Sequence, residues 1–214
     1  MGIAERKKRE KKMLAEMRIK QIQDAAENIF IRKGFYSATI EDIAKKAELS
    51  PATIYLYFRN KDELYGSLNL ITLQYLFDEI KHVYTNDSLG VEEKICGFKD
   101  ALYKTYQYRP LVLRLILHVQ LDDVLAALNS ELLNKLNSLS QKIMGMIAAV
   151  YKEGVQQGKF IEGHENAHAD IIWAVFTGLV LWEEAKRRIN PQKKFLEPTL
   201  DRAFDIFCRG IKKK

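Results

Sequence analysis

The sequence predicts an all-α protein in which a small N-terminal helix-turn-helix unit precedes a larger helical region. Three observations carry this. Apolar residues recur at three- and four-residue spacing nearly throughout, no stretch alternates with the period of two that marks a strand, and helix start and stop residues punctuate the chain. At 214 residues, 47% hydrophobic and 29% charged, the chain suits a soluble fold with a sizeable core. Its longest uncharged apolar run, Ile171 to Trp182, is 12 residues long, short of the ~20 that cross a bilayer. Met1 to Lys20 is charged, unlike a secretory signal, and Cys96 and Cys208 lack the spacing of a disulfide framework or zinc knot. The expectation is a cytoplasmic protein without membrane contact or cofactor. No internal repeat is visible.

The elements follow in order. Met1 to Lys20 holds eight basic residues (Arg6, Lys7, Lys8, Arg9, Lys11, Lys12, Arg18, Lys20) against Glu5, Glu10 and Glu16. Residues 1–16 are read as a basic arm, suited to nucleic-acid phosphates or an anionic membrane, or else simply a solvated tail. Ile22, Ala26, Ile29 and Phe30 share one face of a first helix over Met17 to Lys33, which Gly34 ends. Thr39 caps a short second helix that ends near Ala47, with Glu41 and Asp42 in its first turn. Ser50-Pro51 starts a third that runs to about Phe58, proline standing where its missing N–H costs nothing. Asn60 with Glu63 forms a capping box for a fourth helix that runs to about Tyr84. Two short helices joined by a tight turn on a longer one give the helix-turn-helix plan, assigned to residues 17–64.

Residues 65–214 read as a helical domain. Its further helices are Val91 to Tyr106, Pro110 to Val119, Leu128 to Gln157, Ala167 to Arg188 and Leu196 to Ile211, divided by glycine, proline and short polar residues.

The third helix bears on function. Ile54 and Phe58, four residues apart, face inward and leave Thr53, Tyr55 and Tyr57 outside, with the small Pro51 and Ala52 at the leading end. A recognition helix explains outward tyrosines. Its leading end enters the major groove, hydroxyls bond phosphate oxygens, small apolar groups meet thymine methyls, and Lys61 grips the backbone. Half-buried packing with wet hydroxyls is the competing account of Tyr55 and Tyr57.

Thr39-Ile-Glu-Asp-Ile-Ala-Lys-Lys-Ala47, Thr53-Ile-Tyr-Leu-Tyr-Phe58 and Lys61-Asp-Glu-Leu64 together resemble the DNA-binding signature of the tetracycline-repressor (TetR) family of one-component bacterial regulators. The resemblance spans about Ile22 to Leu64. It implies a homodimer, each subunit joining a helix-turn-helix DNA-binding domain to a larger helical ligand-binding and dimerisation domain. It matches Thr39, Thr53, Tyr55, Tyr57 and Lys61 to positions that touch the DNA, and Pro51 and Ala52, after the capping Ser50, to positions at the base edges. Leu56 departs from the more usual polar or aromatic residue, and Ser50-Pro51-Ala52 from a commoner glycine ending.

The resemblance also assigns the last two helices to an isologous four-helix interface, with Ile172, Val175, Leu179, Trp182, Leu200, Phe204 and Phe207 as interface residues and Gly178 permitting close approach. A small hydrophobic or aromatic inducer is expected among Tyr103, Tyr106, Leu113, Ile116, Leu117, His118, Met144, Ile147, Tyr151 and Phe176. Its binding favours a spacing of the two DNA-binding heads that no longer fits a near-palindromic operator, so the protein acts as a repressor, not an enzyme.

One motif points elsewhere. His164-Glu165-Asn166-Ala167-His168 spells the H-E-x-x-H of zinc hydrolases. Yet Ala174 stands where the usual continuation has its third histidine and Ile171 where it has glycine, and the motif straddles a helix start. Zinc hydrolysis, like a basic helical protein that docks to membranes or partners, is the disfavoured alternative. The motif is read instead as the polar lead-in to the first dimerisation helix.

Overall fold

The computed structural model describes residues 2–110, 113, 128–190, 192 and 195–214. Among these, eight helices follow in order: α1 Ile3–Lys33, α2 Ile40–Lys46, α3 Pro51–Tyr55, α4 Lys61–Tyr84, α5 Val91–Tyr108, α6 Ser130–Gln156, α7 Glu165–Ile189 and α8 Leu196–Ile211. The only β pairing among the described residues is a single bridge between Phe160 and Lys212. The helix expected from Pro110 to Val119 lies outside the described residues except for Pro110 and Leu113.

The first helix begins at Ile3, so the basic arm is its overhanging first half rather than a separate tail. Lys, Arg, Glu, Met and Leu are all strong helix formers. The Gly2 N–H donates to Glu5 Oε2 at 3.2 Å, and Arg6–Glu10 (3.4 Å) and Lys12–Glu16 (3.8 Å) pair one turn apart. Gly34, at φ +79, ends the helix as expected, donating its N–H to Phe30 O at 2.9 Å. The third helix is shorter than its spacing suggests: after Tyr55 the N–H groups of Tyr57 and Phe58 both turn onto Ile54 O, at 2.9 and 3.0 Å. At the start of α4, Asn60 Oδ1 accepts from Glu63 N–H at 2.7 Å, but the Glu63 carboxylate returns to the N–H of Arg59 (2.6 Å), one residue earlier than a capping box would have it.

Two compact units result. One comprises Met1–Leu70 with Asp122–Leu133, the other Ile71–Leu121 with Asn134–Lys214, so the boundary placed after Leu64 falls inside α4. In the first unit Ile22, Ala26, Ile43, Ala44, Ile54, Leu64 and Leu68 are fully buried. Phe30, Phe35 and Tyr65 form an aromatic triangle there, with centroids 5.0 to 6.4 Å apart. In the second, Ile80, Phe98, Leu102, Ile147, Tyr151, Phe176, Val180, Leu200 and Phe204 belong to one core. Gly154 is required in that core, since a Cβ there would lie 2.1 Å from the Phe160 ring.

Candidate nucleic-acid interface

Both short helices are fixed by their own first residues. Thr39 Oγ1 accepts from Asp42 N–H and Asp42 Oδ2 from Thr39 N–H, each at 3.2 Å. The Lys33 ammonium, 2.6 Å from Asp42, and the Thr39 N–H hold the Asp42 carboxyl below its usual range. Ser50 Oγ accepts from Thr53 N–H at 3.1 Å and lies 2.8 Å from Thr53 Oγ1. Between the helices Glu48 takes the left-handed conformation at φ +56 that glycine adopts most easily, and Leu49 N–H returns to Ala44 O at 2.9 Å. Gln21 of α1 closes the end of α2 by donating to Ala47 O at 2.6 Å.

Burial separates the two sides of α3. Ile54 and Phe58 are buried, and Ser50, Ala52, Tyr55 and Leu56 are exposed, with Pro51, Thr53 and Tyr57 intermediate. Leu56 is the residue that spacing missed. It is the most exposed apolar side chain of this segment, at 80%, because the chain leaves the helix just before it. The expectation that Tyr55 stands outside is met; Tyr57 is half-buried.

Lys61 faces the other way. Its ammonium donates to the carbonyls of Phe35 (2.7 Å), Ala38 (3.0 Å) and Tyr36 (3.3 Å) and lies 4.6 Å from the centre of the Phe35 ring. All three protons are committed, so in this structure the lysine clamps the turn between α1 and α2 rather than presenting charge to a phosphate.

The second unit rearranges several sequence assignments. Tyr106, Leu113, Ile147, Tyr151 and Phe176 are buried in the core, and Tyr103 and Met144 pack partly buried against it. Ile116, Leu117 and His118 lie outside the described residues. A groove of about 340 Å³ in the same unit is lined by Phe77, Lys81, Tyr84, Thr85, Lys142, Gly145 and Met146. Ile172, Leu200 and Phe204 of the expected dimer face are buried in the chain's own core, since they lie on the inner sides of α7 and α8. Val175 and Leu179 stay half-exposed and Trp182 is 61% exposed, on a stripe of α7 that also holds Ile171 and an open Gly178, and Phe207 of α8 is half-exposed.

Glu183, near the end of α7, is 1% exposed. Its Oε1 accepts from the Phe195 N–H at 3.0 Å, and it pairs with Lys186 at 2.9 Å and Arg187 at 3.5 Å. Burial opposes its ionisation, but Lys186, the Phe195 N–H and Arg187 outweigh burial and hold the carboxyl below its usual range. The ion pairs had a signal in the i+3 and i+4 basic residues; burial had none. Cys96 and Cys208, distant in sequence, line one cavity of about 200 Å³ with Glu92, Ile95, Phe160, Arg209 and Lys212. Burial and the neighbouring Cys96 push the Cys208 thiol up to about 12.

The H-E-x-x-H residues make local contacts at the start of α7. His164 precedes α7 with extended backbone, and the His168 ring stacks on Tyr151 at 3.8 Å with Nδ1 3.0 Å from His164 O. No group of three or more potential metal ligands exists among the described residues.

Residues 22–68 match the family profile of bacterial regulatory proteins of the tetR family, and residues 85–213 that of the QacR-like protein C-terminal region. The chain is 26% identical over 199 residues to the fatty acid metabolism regulator protein of Bacillus subtilis (strain 168), covering 91% of this chain and 95% of the relative. It is 24% identical over 199 residues to the transcriptional regulator QacR of Staphylococcus aureus (strain Mu50), covering 90% and 97%. The fold resembles that of the TetR-family regulator PfmR from Thermus thermophilus, with TM-score 0.73, 20% identity and coverage of 90% and 99%. It also resembles FadR from Bacillus subtilis in complex with stearoyl-CoA, with TM-score 0.71, 21% identity and coverage of 89% and 98%. With a helix-turn-helix matched at one end and a QacR-like region over most of the remainder, the chain belongs to the tetR family of bacterial transcriptional regulators.

Proposed function

We propose that the protein is a ligand-responsive repressor that binds a near-palindromic operator as a homodimer and leaves it when an apolar or amphipathic small molecule binds the QacR-like region. The observation that carries this is the exposed edge of α3, buttressed from behind by buried Ile54 and Phe58. Ala52, Tyr55 and Leu56 are outward on that edge, with Pro51, Thr53 and Tyr57 beside them. In this reading Pro51, Ala52 and Leu56 meet base edges and thymine methyls in the major groove, and the hydroxyls of Thr39, Ser50, Thr53, Tyr55 and Tyr57 reach phosphates. Lys61 acts indirectly, by holding the turn that sets α2.

The apolar stripe on α7, with Trp182 most exposed and Gly178 open to close approach, supports dimerisation through this helix. Two heads about one DNA turn apart then read the two operator halves. The chain acts in the cytoplasm by binding rather than catalysis, and no described helix is long and apolar enough to cross a membrane. Long-chain acyl-CoA is the ligand class we propose first, supported by the fatty acid regulator among the relatives and by the stearoyl-CoA bound to a protein of the same fold.

Titration against DNA from upstream of the protein's own gene tests the reading. Preference for one site over shuffled duplex, with release by stearoyl-CoA but not free CoA, is the expected result. Binding without sequence preference rejects the DNA reading, and tight operator binding that stearoyl-CoA leaves unaltered rejects the ligand class alone.

A further inference from the structure

Among its described side chains the overhanging half of α1 buries none, yet its charges are ordered. At 100° per residue, Lys7, Lys8, Lys11, Lys12 and Arg18 fall in one sector roughly 140° wide. No acidic residue of the overhang lies in that sector. Further along the same helix the sector holds Ile22, Ala25, Ala26, Ile29 and Phe30, all buried in the first unit. The cationic stripe is therefore the N-terminal continuation of the side of α1 that packs into the helix-turn-helix unit. Lys7, Lys8, Lys11 and Lys12 are exposed, and of these only Lys12 makes an ion pair among the described residues, with Glu16 at 3.8 Å.

We propose that this stripe is a second DNA contact, a rigid helical strut that lies along the phosphate backbone of the operator flank. The proposal rests on the operator-binding reading and extends the surface involved beyond α2 and α3. From Lys7 to Arg18 the strut spans about 18 Å at 1.5 Å per residue, enough to follow about five base pairs outside the segment read by α3. Its cations match a polyanion, and their side continues an existing DNA-binding unit. An anionic bilayer fits less well. Met13, Leu14 and Met17 are exposed on the adjoining face, but that face is interrupted by Arg6 and Glu10, which pair with each other at 3.4 Å. A membrane-lying helix needs a continuous apolar side.

The test uses the full chain and the quadruple variant Lys7→Gln, Lys8→Gln, Lys11→Gln, Lys12→Gln, with the matching four Lys→Arg changes as control. Affinity for the operator and for a shuffled duplex is measured by fluorescence anisotropy over about 50 to 200 mM salt. If each lysine holds one phosphate, the slope of log affinity against log salt becomes shallower by about 3.6 per arm, and salt weakens the variant about 150-fold less per arm over that range. Operator and shuffled duplex lose affinity alike, and arginine restores both slope and affinity. An unchanged slope with operator preference intact overturns the proposal. So does loss of binding to phosphatidylglycerol–phosphatidylcholine vesicles with no change on DNA, which would make the strut a membrane contact. A wild-type chain without operator preference is a different failure: it rejects the reading underneath, and the slope comparison on shuffled duplex still reports on the strut.

Discussion

Replacing Lys61 by methionine separates two roles that the sequence merges. The ammonium donates to two part-buried carbonyls, Phe35 at 2.7 Å and Ala38 at 3.0 Å, and to the exposed Tyr36 carbonyl at 3.3 Å. Charge-assisted hydrogen bonds contribute about 1.5 kcal/mol or more each where water is excluded and little where it is not. Two of them, plus about 0.5 kcal/mol from the ammonium over Phe35, less the ordering entropy of the lysine chain, leave a net cost of about 2 to 3 kcal/mol. For a chain of this length that lowers Tm by roughly 5 to 10 °C. The assay is a thermal melt paired with operator binding across a salt series. Lys61→Met lowers Tm and operator affinity but leaves the salt slope where it was, because no phosphate contact is removed. A variant with unchanged Tm whose slope falls by about 0.9 per subunit refutes the reasoning and restores the lysine to the DNA backbone.

Further outcomes follow from the same structure. Glu183→Leu leaves Lys186, Arg187 and the Phe195 N–H without their shared acceptor and destabilises the fold by about 3 kcal/mol, measured by urea unfolding; a loss within error of zero contradicts the buried ion pair. Because the folded Glu183 carboxyl is held below the unfolded value near 4.5, its contribution is present above that pH and lost as pH falls through the folded value, so Glu183→Gln flattens the acid limb of the stability profile. Trp182→Glu weakens the dimer by about 30-fold or more in sedimentation, and an unaltered dimer constant removes α7 from the interface. Glu48→Gly relieves the left-handed backbone and raises stability by about 0.5 kcal/mol, a lower Tm being the contrary result. Cys208, its thiol pushed up to about 12, reacts with iodoacetamide at about pH 8 on the order of 100-fold more slowly than a free thiol, and equal rates in mass spectrometry dismiss its burial.

Much of this architecture was legible because it is local. Thr39, Ser50 and Asn60 announce helix starts through hydrogen bonds that span three residues, and Ile54 and Phe58 declare the inner side of α3 by spacing alone. What spacing missed depends on residues far along the chain. Lys61 finds three carbonyls more than twenty positions away, and nothing in Lys-Asp-Glu-Leu distinguishes a clamp from a phosphate contact. Leu56 is exposed because α3 ends one residue earlier, on a shared carbonyl that no periodicity reports. Ile172, Leu200 and Phe204 looked like interface because each stripe, read singly, has no partner; α7 and α8 supply inner faces of the same unit. The arm's charge left a solvated tail among the readings open, yet its residues are helix formers and its like charges sit on a helix whose second half is anchored.

The two tryptophans share α7 but not an environment. Trp173 is half-buried, its ring 6.0 Å from Phe176, whereas Trp182 stands out on the apolar stripe at 61% exposure. Intrinsic fluorescence therefore has two resolvable emitters: a blue-shifted one half-buried against the core, and a red-shifted one more open to iodide quenching. Association through α7 would dehydrate only the second, so dilution of the unlabelled protein reads out its assembly optically, with Trp173 as the internal standard.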